Sequence, residues 1–262
     1  MEILTTREGI SVHCLVDGVA SFPPDTFPDL SHDRRAELLT QAGETEARTR
    51  FNTFLLRGTG IGVTLVDCGK GGAPRADGGN LLPLLAALGV APADVTRLFL
   101  THLHSDHCGG ALSDHGPVFP NAQVVLHQKE ILHWRGKDAP GGRFLDAYAD
   151  RLMAFNGPAD LGGGLKVMQL PGHTPGHCGL QVGQGVALVG DIIHAEHLQL
   201  PDPRIATRYD VNPGEARATR RLALLGAATR GLLIGGGHLL RGFGRFLPQG
   251  DGYARDDRVF VA

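Results

Sequence analysis

The sequence predicts a protein of the α/β class. Short apolar runs that have the pattern of buried strands alternate with helical segments, and glycine- or proline-rich turns separate them. One such run, residues 95–100, is followed directly by three histidines and an aspartate within residues 102–107. Open α/β sheets bind ligands at the carboxyl ends of their strands, so we expect this loop to carry the chemistry of the chain.

Composition sets the broad class of the protein. The chain has 262 residues, 42% of them hydrophobic, which is enough to bury a core without disulfide bonds. We expect one domain over 1–262, made of two similar halves at about 1–160 and 161–262. A formal net charge of −2 argues against a nucleic-acid partner, and the expected partner is a small-molecule substrate, with a homodimer left open.

Other features indicate a cytoplasmic location. The four cysteines are widely spaced and contain no Cys-x-x-Cys pair, which is typical of free thiols in a reducing compartment. The first residues lack the basic start and apolar core of a signal peptide. The longest apolar stretch, residues 81–93, is interrupted by proline and glycine and falls short of the ~20 residues that span a bilayer. We therefore expect no membrane association.

The first half begins with strands at residues 10–16 and 51–56. The segment between them, residues 17–50, is a long excursion with a short helix at 34–39. Phe22 and Phe27 lie in this excursion and are candidates for the wall of a substrate pocket or for a subunit contact. The alternative is that both rings fasten the excursion to the core.

Further elements follow in order along the chain. Strands are predicted at residues 63–66, 123–127, 167–170, 186–189 and 232–234, and helices at residues 80–88, 146–155 and 213–225. The last helix has Asn212 as its cap and Pro213 in its first turn, and Gly226 is the predicted stop.

Polar residues follow five of the predicted strands. Asp67, His173, Asp191 and His238 each come after an apolar strand, as does the loop 102–107. Imidazole and carboxylate groups are ligands for zinc and related metals. Burying such groups without partners would cost about 2–7 kcal/mol each, and a metal removes that cost. The sequence therefore predicts one metal site where these strand ends converge.

Residues near the predicted ligands have supporting roles. Asp67 is expected to orient a metal-bound histidine through its carboxylate. His194 and His197 follow Asp191, so either could face substrate. His177 has no ligand spacing and is expected to be structural.

The sequence resembles the metallo-β-lactamase superfamily over residues 50–240. The resemblance rests on His-Leu-His-Ser-Asp-His at 102–107, Gly-His at 172–173, Gly-Asp at 190–191 and Gly-His at 237–238. It implies a four-layer αββα sandwich with a two-metal site at its edge. It also implies that one metal is held by His102, His104 and His173 and the other by Asp106, His107 and His238. Asp191 would bridge the two metals, and Asp67 occupies the family's Asp-x-Gly position.

Within that superfamily the chain is similar to the methyl parathion hydrolase-like and lactonase-like group. The similar segments are residues 101–110, 119–122 and 190–194. The lactonases usually place a tyrosine a few residues after the bridging aspartate, whereas this chain has His194 in that stretch.

The resemblance implies a dinuclear metal-dependent hydrolase. A hydroxide that bridges two divalent ions would attack a small ester, lactone or organophosphate, with Asp106 and Asp191 as the catalytic carboxylates. Zinc is the expected metal, and manganese, cobalt or iron could occupy the same ligands. The alternatives are a glyoxalase-type thioesterase or a β-lactamase on the same scaffold, or a non-hydrolytic redox or binding protein.

Overall fold

The computed structural model describes residues 2–256. The strands in the first part of the chain are β1 (Glu2–Thr5), β2 (Ser11–Phe22), β3 (Ala47–Gly58), β4 (Gly62–Val66), β5 (Arg97–Phe99), β6 (Leu112–Ser113), β7 (Gly116–Pro117), β8 (Gln123–His127) and β9 (Leu152–Phe155). The helices there are α1 (His32–Gln41), α2 (Leu81–Ala87), α3 (Ser105–Cys108), α4 (Gln128–Trp134) and α5 (Pro140–Ala147).

The rest of the described chain contributes further strands and two helices. The strands are β10 (Leu165–Gln169), β11 (Cys178–Val182), β12 (Val186–Leu188), β13 (Leu233–Gly235), β14 (Phe243–Gly244), β15 (Phe246–Gln249) and β16 (Gly252–Arg255). The helices are α6 (Glu196–Gln199) and α7 (Pro213–Arg230).

Two large sheets are built from consecutive parts of the chain. The first has seven strands in the order β1-β2-β3-β4-β5-β8-β9, and the second has five in the order β10-β11-β12-β13-β14. Strands β4, β5, β8 and β9 pair in parallel, and so do β12 and β13. The carboxyl ends of the parallel strands in each sheet therefore lie along one edge.

The two sheets pack against each other. Their shared core contains Val12, Phe54 and Val125 from the first sheet and Leu180 and Leu188 from the second. Strand side chains alternate between the two faces of a sheet. Leu55 of β3 and Leu98 of β5 therefore point away from this shared core, into a separate core on the other face of the first sheet.

Helices cover both outer faces. Leu85 of α2 and Ile131 of α4 pack in the outer core of the first sheet. Leu224 of α7 packs with Ala187 and Ile234 on the outer face of the second sheet. The order of layers is helix, sheet, sheet, helix, so the αββα sandwich is confirmed.

Two helix predictions were wrong. Residues 146–155 were predicted as one helix, but α5 ends at Ala147 and Leu152–Phe155 form β9, which pairs in parallel with β8. This tertiary pairing overrides the local pattern. The helix predicted to stop at Gly226 continues to Arg230 and ends at Gly231, whose φ of 66° is left-handed. Within residues 2–256 no helix combines the length and apolarity needed to cross a membrane.

The excursion between the first two predicted strands is shorter than expected. Strand β2 continues to Phe22 and β3 begins at Ala47, so the bounds 17–50 shrink to residues 23–46. The two strands remain paired from Ser11 to Phe22 because a bulge at Asp17 absorbs one residue of mismatched register.

Candidate metal centre

The predicted ligands converge at one edge of the sandwich. In the first sheet, Asp67 follows β4 and His102 lies three residues beyond β5. In the second sheet, His173, Asp191 and His238 each follow a strand, namely β10, β12 and β13. Both sheets therefore present the carboxyl ends of their strands to the same site, as the strand-end pattern predicted.

Three histidines form a first group. His104 Nδ1 lies 3.0 Å from His102 Nε2 and 2.9 Å from His173 Nε2. The rings of His102 and His173 are buried, whereas His104 is half-buried. Three ring nitrogens that face one another this closely have the arrangement expected of ligands around one cation.

A second group lies beside the first and contains two carboxylates. Asp191 Oδ1 is 3.2 Å from His107 Nε2, and Asp191 Oδ2 is 3.0 Å from His238 Nε2. Asp106 Oδ2 completes the group, at 3.7 Å from His107 Nε2 and 3.6 Å from His238 Nε2. These donor atoms all lie within 4.8 Å of one another.

Asp191 is shared by the two groups. Its Oδ2 atom lies 3.7 Å from His102 Nε2 and 3.5 Å from His173 Nε2, in addition to its contact with His238. Burial would raise the pKa of this carboxyl, but His107 and His238 hold it well below its ordinary value. Asp191 is therefore an ionised carboxylate between two clusters of nitrogen donors.

Groups outside the cluster fix the protonation of the rings. Three of the histidines donate Nδ1–H to an oxygen that can only accept: His107 to Asp67 Oδ2 at 2.8 Å, His173 to Asp210 Oδ1 at 2.9 Å and His238 to the Arg50 carbonyl at 2.9 Å. With Nδ1–H donated in this way, Nε2 is the ring nitrogen that faces the cluster and is left for a metal to bind. The position of Asp67 is thus the one predicted for a carboxylate that orients a metal-bound histidine.

Buried atoms without partners test whether a cation fits. His107 Nε2 and Asp191 Oδ1 are fully buried, and neither has a hydrogen-bond partner beyond the 3.2 Å contact between the two atoms. Leaving such groups unpaired would cost about 1–3 kcal/mol or more for each. A divalent cation between them would satisfy both atoms, and the nitrogen and oxygen donors suit zinc, manganese, cobalt or iron. The residues therefore fit a metal.

Burial is the largest influence on the ring pKa values. It lowers the pKa of His102 well below the ordinary value and that of His104 to about 3, so both rings are neutral at pH 7. Burial opposes the charged form of His107 as well, yet the carboxylates of Asp191 and Asp67 raise its pKa well above the ordinary value. A cation that binds His107 must displace a proton, so affinity at this group falls as the pH falls.

The cluster opens into a cavity of about 380 Å³. Its walls include the aromatic side chains of Phe22, Phe51, Trp134 and Tyr209, together with Lys70. Phe22 packs edge-on against His238, with the ring centroids 5.5 Å apart. The cavity therefore combines a polar, metal-ligating floor with an aromatic wall.

Phe27 does not line this cavity. Its side chain is buried and packs with Leu38, Leu39 and Ala47, so it fastens the excursion to the core, the alternative left open from the sequence. Its ring also supports Phe22 edge-on, at 6.1 Å between centroids.

The two histidines that follow Asp191 have different positions. His194 is buried in the cavity wall, its Nε2 atom lies 3.5 Å from Asp191 Oδ2, and neither ring nitrogen has a hydrogen-bond partner. Burial lowers its pKa well below the ordinary value, so the ring is neutral. His197 does not line this cavity and lies 3.9 Å from Glu44 Oε1. Of these two histidines, only His194 lines the cavity.

His177 has the structural role expected of it. Its Nδ1–H donates to the Leu170 carbonyl at 2.8 Å, and its Nε2 accepts from the Asp191 backbone N–H at 3.0 Å. Burial lowers its pKa to about 4, which keeps Nε2 unprotonated and able to accept. The ring thus holds the backbone of the shared aspartate.

Sequence reasoning missed several residues of the site. Asp210 orients His173, and Tyr209 stacks on His194 with ring centroids 6.1 Å apart. Both lie between α6 and α7, in a loop with no ligand spacing to identify it. Trp134, whose ring meets His104 edge-on, was equally unmarked. A tyrosine therefore lines the cavity, although it comes from another loop than the stretch after Asp191.

Comparisons with known proteins agree with this architecture. The chain is 26% identical to the hydrolase AbOPH of the β-lactamase superfamily, with a TM-score of 0.87 over 97% of this chain and 95% of that structure. It shares the fold of AidC, a dizinc quorum-quenching lactonase, with a TM-score of 0.91 at 22% identity over 100% of this chain and 98% of the other.

Curated relatives match a smaller part of the chain. Hydroxyacylglutathione hydrolase of Vibrio campbellii is 31% identical over 117 residues, 45% of this chain and 40% of that protein. The first curated relatives are thus matched over only 35–40% of their own length. The sequence profile of the metallo-beta-lactamase superfamily matches residues 51–238, which contain all the predicted metal ligands. The chain therefore belongs to the metallo-β-lactamase superfamily, and its similarity extends to hydrolases of that superfamily.

Proposed function

We propose that this chain is a dinuclear metal-dependent hydrolase that acts on a small ester, lactone or organophosphate. The observation that carries the proposal is the position of Asp191. One buried carboxylate is shared by two groups of ligand atoms, and both groups open into the same aromatic cavity. His102, His104 and His173 would hold one cation and Asp106, His107 and His238 the other.

The cations and the protein would have separate roles. When bound, divalent ions polarise a carbonyl or phosphoryl group and make water acidic enough to ionise near neutral pH. The side chain of Asp106 is 20% exposed, against 3% for Asp191, and it lines the cavity. Asp106 is therefore the carboxylate that can pass a proton to a leaving group, whereas Asp191 holds the two ligand groups together.

The walls of the cavity favour an uncharged substrate. Among the described residues that line it, Lys70 is the one lysine or arginine, and its ammonium already pairs with Asp77 at 2.9 Å. The same ammonium lies over the Phe51 ring, 4.8 Å from its centroid. Aromatic walls bind apolar substituents of a neutral ester or lactone through burial of area and ring contacts.

A thioesterase of the hydroxyacylglutathione type is the second candidate. The similarity to the Vibrio campbellii enzyme supports it. A glutathione thioester carries two carboxylates, which ordinarily require cationic partners. A single lysine that is already paired makes this cavity a poorer match for such a substrate than for a neutral lactone.

The test combines metal analysis with a substrate panel. Protein purified without chelator is measured by elemental analysis, and its kcat/KM is compared for lactones, aryl esters, phosphotriesters, a glutathione thioester and a β-lactam. We expect about two metals per chain and the highest kcat/KM on a neutral ester, lactone or phosphotriester. Preference for the thioester would support the second candidate. Fewer than one metal per chain after reconstitution would refute the dinuclear proposal.

A further inference from the structure

Glu130 is a buried carboxylate beside the three-histidine group. It lies in α4, its side chain is fully inaccessible to solvent, and it ligates nothing in either group. A buried carboxylate is costly unless hydrogen bonds compensate for its lost hydration. Glu130 accepts four hydrogen bonds.

Both oxygens of Glu130 accept twice. Oε1 accepts from the Leu103 backbone N–H at 3.0 Å and from Trp134 Nε1–H at 2.6 Å. Oε2 accepts from the Thr174 hydroxyl at 2.7 Å and from the Gly176 N–H at 3.1 Å. The four donors therefore satisfy both oxygens of the buried carboxylate.

These donors come from the segments that carry the first ligand group. Leu103 lies between His102 and His104, and Thr174 follows His173. Trp134 packs its ring edge-on against His104, with the centroids 5.6 Å apart. One carboxylate therefore joins two ligand loops from different sheets to the ring that supports the half-buried ligand.

We propose that Glu130 is a positioning residue that preorganises His102, His104 and His173 for a metal ion. The inference rests on the proposed metal-binding function, since it concerns the same ligands. Because one carboxylate holds the backbone of both ligand loops, the three ring nitrogens would face one another before a cation binds.

Glu130→Gln is the sharpest variant, because it keeps the size and removes one acceptor. An amide has one oxygen and one NH₂ group, so it cannot accept from both pairs of donors. If the NH₂ group turns toward Thr174, the hydroxyl can rotate and accept, but the Gly176 N–H loses its partner. The hydrogen bonding to the His173 loop is weakened, while the hydrogen bond to Leu103 remains.

The experiment is a two-step zinc titration against a chromophoric chelator. His104→Ala identifies the step that belongs to the three-histidine group, and cobalt spectra of each variant report the ligand geometry. We expect Glu130→Gln to weaken that step by about 10–100-fold, the usual effect of disrupting groups that orient ligands, and to change its cobalt spectrum. The step that belongs to Asp106, His107 and His238 should stay unchanged.

Asp17→Asn is the matched control. Asp17 is equally buried and accepts from the backbone N–H groups of Lys70, Gly79 and Leu81, none of which lies in a loop of the three-histidine group. The control should lower the Tm yet leave the three-histidine step at wild-type affinity. If Asp17→Asn weakens that step as much as Glu130→Gln does, the effect is general destabilisation and the inference is wrong.

Thr174→Val is a second variant in case Glu130→Gln does not fold. It removes one donor to Oε2 and should weaken the same step by a smaller factor. Wild-type zinc affinity and spectrum in every variant that folds would overturn the role of Glu130 alone. Wild-type protein that binds no metal would overturn the proposed function instead, so the two failures are distinguishable.

Discussion

Replacing Asp67 by asparagine would test how the outer hydrogen bonds control the metal ligands. Asp67 has a φ of 59°, a left-handed conformation that asparagine tolerates well, so the backbone should be preserved. Its Oδ1 atom accepts from the Thr101 N–H at 2.8 Å. Its Oδ2 atom accepts from the Thr101 hydroxyl and from His107 Nδ1–H, both at 2.8 Å.

The amide cannot reproduce this pattern in either orientation. If its oxygen keeps the Thr101 N–H, its NH₂ group faces His107 Nδ1, and the ring proton moves to Nε2, the atom that faces the metal. If its oxygen keeps His107, the buried Thr101 N–H loses its acceptor, at a cost of about 1–3 kcal/mol. We expect the metal affinity of the His107 group to fall about 10–100-fold, which is about 1.4–2.7 kcal/mol.

Asp210→Asn is the reciprocal control, because Asp210 accepts from His173 Nδ1–H in the other group. A two-step metal titration should show Asp67→Asn weakening the step of His107 and Asp210→Asn weakening the step of His173. If both variants weaken the same step, or neither changes any affinity, the reasoning about fixed ring protonation is refuted.

Three other predictions use different observations. His104→Ala should leave about one metal per chain and Asp191→Ala should disturb both, as measured by elemental analysis; two metals with wild-type turnover in either variant would contradict the ligand assignment. His194→Phe should lower kcat/KM for the preferred substrate, whereas the same change at His197, outside the cavity, should leave kcat/KM at the wild-type value. Burial raises the pKa of the Cys14 thiol from 9.0 to about 12. Between these values the folded state keeps a proton that the unfolded chain releases. The stability that this thiol contributes is therefore complete below pH 9 and is lost as the pH rises toward 12. Urea denaturation between pH 9 and 11 should therefore show a shallower decline in unfolding free energy for Cys14→Ala than for wild type, by up to about 1.4 kcal/mol per pH unit, and equal slopes would argue against the buried thiol as the cause.

The location of the candidate metal centre could be predicted from the sequence because its predicted ligands follow a local pattern. The predicted ligands stand in loops that follow apolar strands, and the carboxyl ends of strands in such sheets share an edge. His102, His173 and His238 could therefore be placed together although they are far apart in the chain. The same strand-end pattern predicted that Asp67 would orient one of the histidines, and Asp67 accepts a hydrogen bond from His107.

Local sequence patterns gave wrong predictions where contacts between distant segments determine the structure. Leu152–Phe155 form a strand because β8 offers them a parallel partner, which no helical or strand periodicity within 146–155 reveals. Phe22 and Phe27 look alike in sequence, yet one ring lines the cavity and the other is buried among Leu38 and Leu39.

The sequence by itself determined the fold class, the family resemblance and the set of candidate metal-ligating side chains, because these depend on residue type and spacing along the chain. The tertiary structure decided which groups hold those ligands in place and what surrounds the substrate. Asp210, Glu130 and Tyr209 reach the site from segments without any ligand motif. Hydrogen bonds and ring contacts between distant segments have no sequence period, so only the folded arrangement identifies them.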